Sequence, residues 1–427
     1  MNKTKDLVRV LSAESKARRQ LADALTGIQE GLRYDDTAGF LTLYGPWVRE
    51  LNYVNEHITV PDEEIDAAVK EYTDVANHLV MHLGWSDQDI DVLPQGSAST
   101  QTLIRTPDRS KFDIDAVCQV DISRVAANNP IGFFEAVGDG LKKYEAIAKR
   151  RCWNINYKHK TFYLEFTPSV PLGAVSQSEL ASMSPVYGSE QHYFETALAV
   201  VDTPTRKWKT SNPEGYTRWV NDAANHQLIR YLITENKAVL TEAGVAPVPD
   251  QDVQITDTLR VAIRLFKRHR DMCVYRGVID KEYKPISIII VTLLTSCYRG
   301  LADMGRTYEH PIQLLVDLAQ FLPGMVDDSG SKYHVDNPTV VGENFAEKWN
   351  EDDGERARAF ETWCDILEGD LRRILAITNE DDLRREIRDI FGCGNEKTTP
   401  VGPGGGGGVT TKKSWRPRPA PSIRGLS

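Results

Sequence analysis

Residues 95–117 read QGSASTQTLIRTPDRSKFDIDAV, and the fold turns on how they are understood. Gly96-Ser97 opens a short segment with helical character. An apolar-flanked Asp-x-Asp follows, which predicts a strand. Alternation along a strand puts Asp113 and Asp115 on one face and Ile114 on the other, toward a core. Two carboxylates spaced about 7 Å along one strand face repel each other unless a cation lies between them. The pattern points to a divalent-metal site; the plainer alternative is the solvent face of an edge strand. Upstream, a glycine lets the backbone approach phosphate oxygens, and the N–H groups after it favour anions. Ser97 adds a hydroxyl donor.

Working outward, the chain has 427 residues, enough for two or three domains. Its 41 % hydrophobic and 26 % charged residues are ordinary for a globular protein. The net charge of -10 argues against a broad electrostatic footprint for duplex nucleic acid, yet leaves room for a local basic pocket. The six cysteines have no CxxC spacing and read as reduced, mostly buried thiols, with Cys393 in FGCG as the one expected to be exposed. The longest apolar run, ISIIIVTLLTSCY, is too short to span a bilayer, and MNKTKDLVRVLS lacks the apolar core of a signal peptide. The expected location is cytoplasmic.

Element by element, residues 1–31 have helical spacing, and 34–60 hold aromatics with few clear periods. Pro61 opens a strong helix that ends at Gly84, a brace for the core. A strand at 90–93 leads into Gly96, and the Asp-x-Asp strand runs to about 122. A helix is predicted over 130–151, then strands in CWNINYK and FYLEFTP. Residues 180–215 look loop-rich. Helix returns over 217–233, a linker falls at 244–252, and helices follow at 258–274, 285–299, 311–322, 342–367 and 381–391. Strands confined to about 88–210 predict an α+β protein, a small mixed sheet joined to a helical bundle. The corresponding domains are an N-terminal helical extension (1–60), a core (61–240), a helical lobe (250–393) and a flexible Gly/Pro-rich tail (394–427).

Phosphoryl and nucleotidyl transfer draw on two divalent ions held by hard oxygen ligands, and three carboxylates usually suffice. In FYLEFTP, Glu165 lies on the face opposite Phe162, Leu164 and Phe166, so it is available as a third acid.

Gly96, Ser97 and Thr102 followed by FDIDAV resemble the core motif of polymerase-β-like nucleotidyltransferases, and most of all the bacterial CD-NTases, the cyclic-oligonucleotide synthases related to animal cyclic GMP-AMP synthase. The resemblance covers roughly residues 62–393. FYLEFTPSVP is similar to the family's third-acid strand, with Glu165 where an aspartate is usual. WKTSNPEGYTRW (Trp208, Ser211, Asn212, Pro213) resembles a segment over the nucleotide pocket. LRVAIRLFKRHRD resembles the helix whose lysine, here Lys267, contacts the triphosphate, and KPISIIIVTLL the next helix, whose serine, here Ser287, touches the phosphates. Ile288 stands where some members carry a base-stacking Tyr.

Several of these residues also have structural readings: Lys267 as a solvated helix face, Ser287 as a helix N-cap, Trp208 as packing, Thr102 as a turn former, His269 as structural or surface. The resemblance implies synthesis of a cyclic di- or oligonucleotide from NTPs, ATP or GTP foremost, in anti-phage signalling. It implies Asp113, Asp115 and Glu165 as catalytic residues holding two Mg²⁺ (Mn²⁺ as a substitute), and Gly96, Ser97, Lys267, Ser287 and Asn212 around the nucleotide. It further implies an effector that reads the product and a ubiquitin-like conjugation enzyme acting on the tail. Transfer of a nucleotide to a protein or RNA acceptor, and a silent nucleotide-binding scaffold, are the alternatives.

Overall fold

The computed structural model describes residues 4, 37–86, 88–108, 110–125, 128–183, 191–229 and 248–394. The helix expected in 1–31, much of the linker and nearly all of the tail lie outside the described residues. Among the described elements, helix α1 (Thr37–His57) and α2 (Asp62–Leu83) come first. Three acids in the first turn of α2 and Gly84 in the left-handed conformation (φ 67°) after its last turn satisfy both ends of the helix. The sheet follows: β1 (Ile90–Gln95), the one-turn α3 (Gly96–Ser99), β2 (Phe112–Val120), α4 (Pro130–Gly140), β3 (Ile147–Ala148), β4 (Trp153–Ile155), β5 (Phe162–Pro171), α5 (Gln177–Met183), β6 (Leu198–Asp202) and β7 (Lys207–Ser211). Helices close the described residues: α6 (Pro213–Ala224), α7 (Thr258–Tyr275), α8 (Ser287–Asp303), α9 (Pro311–Met325), α10 (Glu355–Ala376) and α11 (Glu380–Ile390). The α+β expectation holds.

The sheet runs β1-β2-β5-β4-β3, with β6 and β7 continuing from the far end of β5. β2 and β5 are parallel; the other pairs are antiparallel. One face is apolar. Ile114, Leu164 and Phe166 are fully buried there, in one cluster with Tyr72, Val75 and Leu79 of α2 and Phe134 and Val137 of α4. Each such side chain contributes roughly 1.5–3 kcal/mol by leaving water. The other face, which carries the acids, turns toward the helical lobe.

α1 belongs to that lobe: its Leu51 and Val54 share a core with α7 to α11. The aromatic-rich 34–60 is therefore mostly helix, its periodicity masked by Gly45 and Pro46. The helix expected over 130–151 stops at Gly140, and Glu145 takes a left-handed turn (φ 55°) into β3. The supposed loops of 180–215 contain the β6–β7 hairpin. Helix α6 begins at Pro213 and ends at Ala224, four residues early at its start and well short of 233. The helix expected from 342 starts only at Glu355, because Asp353 and Gly354 both have positive φ. Cys393, expected to be exposed, is buried, as are the other five cysteines.

Candidate active site

Two adjacent parallel strands deliver the acids, Asp113 and Asp115 from β2 and Glu165 from β5. Ile114 is buried beneath β2, so Asp113 and Asp115 stand on the opposite face, as alternation requires. Parallel pairing sets Asp115 directly across from Glu165, and Asp113 across from Tyr163. Neighbouring strands lie about 4.8 Å apart, so this register brings the backbones of Asp115 and Glu165 side by side on one face. β1 pairs antiparallel with β2, with Gln95 opposite Asp115, so the chain turns beside that acid. The turn requires glycine twice over: Gly96 has φ 65°, and a Cβ there would stand 2.2 Å from Asp115 Oδ2.

The three carboxylates carry like charge at close quarters. Burial, then Asp113 and Glu165, push the Asp115 carboxyl well above its ordinary range, with Lys267 opposing. Glu165 is engaged from its far side: Asn154 Nδ2 donates to Oε1 (3.3 Å) and Cys152 Sγ to Oε2 (3.4 Å). Among the described residues no three acid, histidine or cysteine side chains close on one metal-sized point; Asp113, Asp115 and Glu165 all line the cleft, and Glu165 is also bonded to donors beside β4. As a donor set, three carboxylates suit hard divalent cations and not zinc or copper.

The facing wall is cationic. Lys267 on α7 is buried, donating to Ser97 Oγ (2.8 Å) and the Thr102 carbonyl (2.6 Å). It is no solvated helix face. Burial, and then Arg270, lower its pKa to about 7. Arg270, one turn on, donates to the Pro285 carbonyl (2.9 Å) and Ser287 Oγ (3.2 Å). Ser287 is the first residue of α8 and not its cap; the capping position is Ile286, which makes no side-chain cap bond, so the serine hydroxyl stays at the cleft. Acids and cations together line a cleft of about 620 Å³.

Not every sequence-predicted residue reaches the cleft. Asn212 is fully buried. Its Oδ1 accepts from Gly215 N (3.0 Å) and caps α6, while Nδ2 donates to the carbonyls of Tyr193 (2.8 Å) and Thr339 (3.3 Å). It shapes the segment over the pocket instead of lining it. Trp208 packs against Phe133 at 6.1 Å between ring centres, and Thr102 is buried in the turn against Thr100 (2.9 Å). His269 is buried against Asp370 (3.1 Å). Ile288 does line the cleft.

Reasoning from sequence missed Arg270, Lys281, Lys284 and Tyr216, all of which line the cleft. Arg270 lies three residues after Lys267, the spacing of one helix face, and that signal was available. Tyr216 bonds Thr292 across the lobe (2.8 Å), a contact no local pattern announces.

A parallel strand pair with three acids on one face, a Gly-Ser turn beside them and a helical lobe opposite define a polymerase-β-like nucleotidyltransferase fold. Within that class the similarity of this chain is to the bacterial CD-NTases. No family model matches the chain. It is 26 % identical over 271 residues to a c-di-GMP synthase of Roseivirga ehrenbergii, an alignment covering 61 % of each protein, so the match spans about three-fifths of that relative's length. The CD-NTase CdnG of Bradyrhizobium diazoefficiens, solved in complex with GTP, superposes with TM-score 0.55 at 17 % identity, over 82 % of this chain and 99 % of that one. CdnC of E. coli MS115-1, solved with ATP, gives TM-score 0.51 at 10 % identity over 81 % and 97 %. No helix among the described residues is long and apolar enough to cross a membrane.

Proposed function

We propose that this chain joins nucleoside triphosphates into a cyclic di- or oligonucleotide, in the anti-phage setting that its family resemblance implies. The observation that carries the reading is the register of Asp115 with Glu165 on a face opposite the Lys267–Arg270–Ser287 wall, acids and cations meeting across one cleft. Asp113, Asp115 and Glu165 are the residues that would hold divalent cations. When bound, two Mg²⁺ (or Mn²⁺) would lower the pKa of an acceptor hydroxyl and offset charge on the triphosphate. Lys267, Arg270 and the Ser97 and Ser287 hydroxyls orient the triphosphate so that the hydroxyl meets the α-phosphorus in line and pyrophosphate leaves. Gly96 admits the phosphates close to the backbone.

The purified chain, given four NTPs with Mg²⁺, is expected to yield a small phosphatase-resistant product identified by mass spectrometry. Label found on protein or RNA would instead favour transfer to a macromolecule, and nucleotide binding without turnover would favour a silent scaffold. The tail, beginning at Gly394, is offered as the segment a ubiquitin-like conjugation enzyme would act on. Conjugation that survives deletion of residues 394–427 would end that part of the reading.

A further inference from the structure

A glutamate carries its carboxylate one methylene farther from the strand than an aspartate and has an additional rotatable bond, so Glu165 has more freedom to lose than either aspartate. The structure restrains it from the side away from Asp115. β4 runs antiparallel to β5 with Asn154 directly across from Glu165. Asp115, Glu165 and Asn154 therefore form one row across three strands, on one face. Asn154 donates to one carboxylate oxygen (3.3 Å), and Cys152, just before β4 and 8 % exposed, donates to the other (3.4 Å). Glu165 faces the cleft and the two donors stand behind it.

We propose that Cys152 and Asn154 are positioning residues: together they hold the longer Glu165 side chain so that its carboxylate stays level with Asp115 for cation binding. The inference rests on the cation-binding part of the proposed function. A thiol is a weak donor and a side-chain amide a neutral one, so the pair steers the carboxylate while leaving oxygen lone pairs for a cation. A lysine or arginine in either place would neutralise the charge the site uses.

The test substitutes Cys152→Ala, Asn154→Ala and both together, each in the Glu165 chain and in a Glu165→Asp chain, whose carboxylate, one methylene shorter, is expected to lose the β4 donors. Mn²⁺ binding to the nucleotide-free full chain, followed by electron paramagnetic resonance, gives a readout independent of turnover. In the Glu165 chain the double substitution is expected to weaken Mn²⁺ binding about 10-fold, with Cys152→Ser retaining most of the affinity that Cys152→Ala loses. In the Glu165→Asp chain the same substitutions are expected to change nothing further, because interacting residues are non-additive. An equal loss in both backgrounds marks a general packing effect and overturns the inference, as does no loss in either. Cys152-dependent Mn²⁺ binding by a chain that makes no nucleotide product would defeat the proposed reaction and leave the positioning role standing.

Discussion

Asp113, Asp115 and Glu165 stand on strands whose register is set by backbone hydrogen bonds. Lys267, Arg270 and Ser287 stand on two helices whose faces are set only by how the lobe packs. The acid wall is a local consequence of alternation plus one parallel pairing. The basic wall is a tertiary product. On α7, Arg260, Arg264, Lys267, Arg268 and Arg270 are all buried, and each is bonded to loop carbonyls: Arg260 to Thr100, Arg264 to Gln251, Lys267 to Thr102, Arg268 to Phe391, Arg270 to Pro285. The same helix thus ties the sheet domain to the lobe and supplies positive charge to the cleft. Buried cations survive in such a place because each is hydrogen-bonded. One wall should tolerate damage to the lobe, whereas the other should not.

The largest effect is expected from Asp113→Asn with Asp115→Asn. Turnover should fall by at least about 10³-fold, and thermal unfolding should move up or stay put, since burial and like-charge neighbours penalise the ionised Asp115. A double variant that still makes product from ATP and GTP removes the acid wall from the chemistry. Gly96→Ala comes next. Its Cβ would lie 2.2 Å from Asp115 Oδ2 at φ 65°, so a loss of at least about 1 kcal/mol in stability is expected with a larger loss of activity. Denaturant titration beside kinetics separates the two; wild-type-like stability and activity would contradict the close approach.

On the basic wall, Lys267→Met should weaken triphosphate binding by about 10- to 100-fold, the scale of one lost charge-assisted contact. Its pH signature has a definite sign. With its pKa lowered from 10.5 to about 7, the folded chain binds fewer protons here than the unfolded chain across that window, so wild-type stability rises with pH from about 7 toward 10.5. A triphosphate bound as proposed would favour the charged lysine. At pH 8 without divalent ions, calorimetry in buffers of different ionisation enthalpy should show uptake approaching about one proton per nucleotide, abolished by Lys267→Met. No difference between buffers would show that the lysine is already charged. The smallest functional effect is expected at Asn212: Asn212→Ala should cost about 1–2 kcal/mol through the lost cap of α6, with KM for NTPs unchanged. A raised KM at full stability would restore it to the nucleotide pocket.

The same contrast explains what could be read in advance. Asp113, Ile114 and Asp115 declare their faces by alternation, and Glu165 declares its own against Phe162, Leu164 and Phe166. By contrast β6 is buried along its whole length, so its apolar run shows no alternation and reads as loop or core alike. Helix α7 conceals more: its polar residues suggest a solvated face, yet its burial on all sides follows from loops that arrive from distant parts of the chain. Asn212 was placed near the nucleotide by resemblance, but as the residue before Pro213 at a helix start it also carries a capping signature. No pattern along the chain foretells Cys152, whose bond to Glu165 depends on how β4 meets β5.

The parallel pairing of β2 with β5, continuous from Phe112 with Phe162 to Gln119 with Ser169, has a consequence for how the protein fails. Amides in so central a ladder exchange with solvent deuterium only when the whole sheet domain opens, whereas lobe helices can open in smaller units. Deuterium uptake should therefore rise in α8 and α9 well before it rises in β2. A molecule caught in that interval keeps its row of carboxylates at native spacing after the opposite wall of the cleft has come apart.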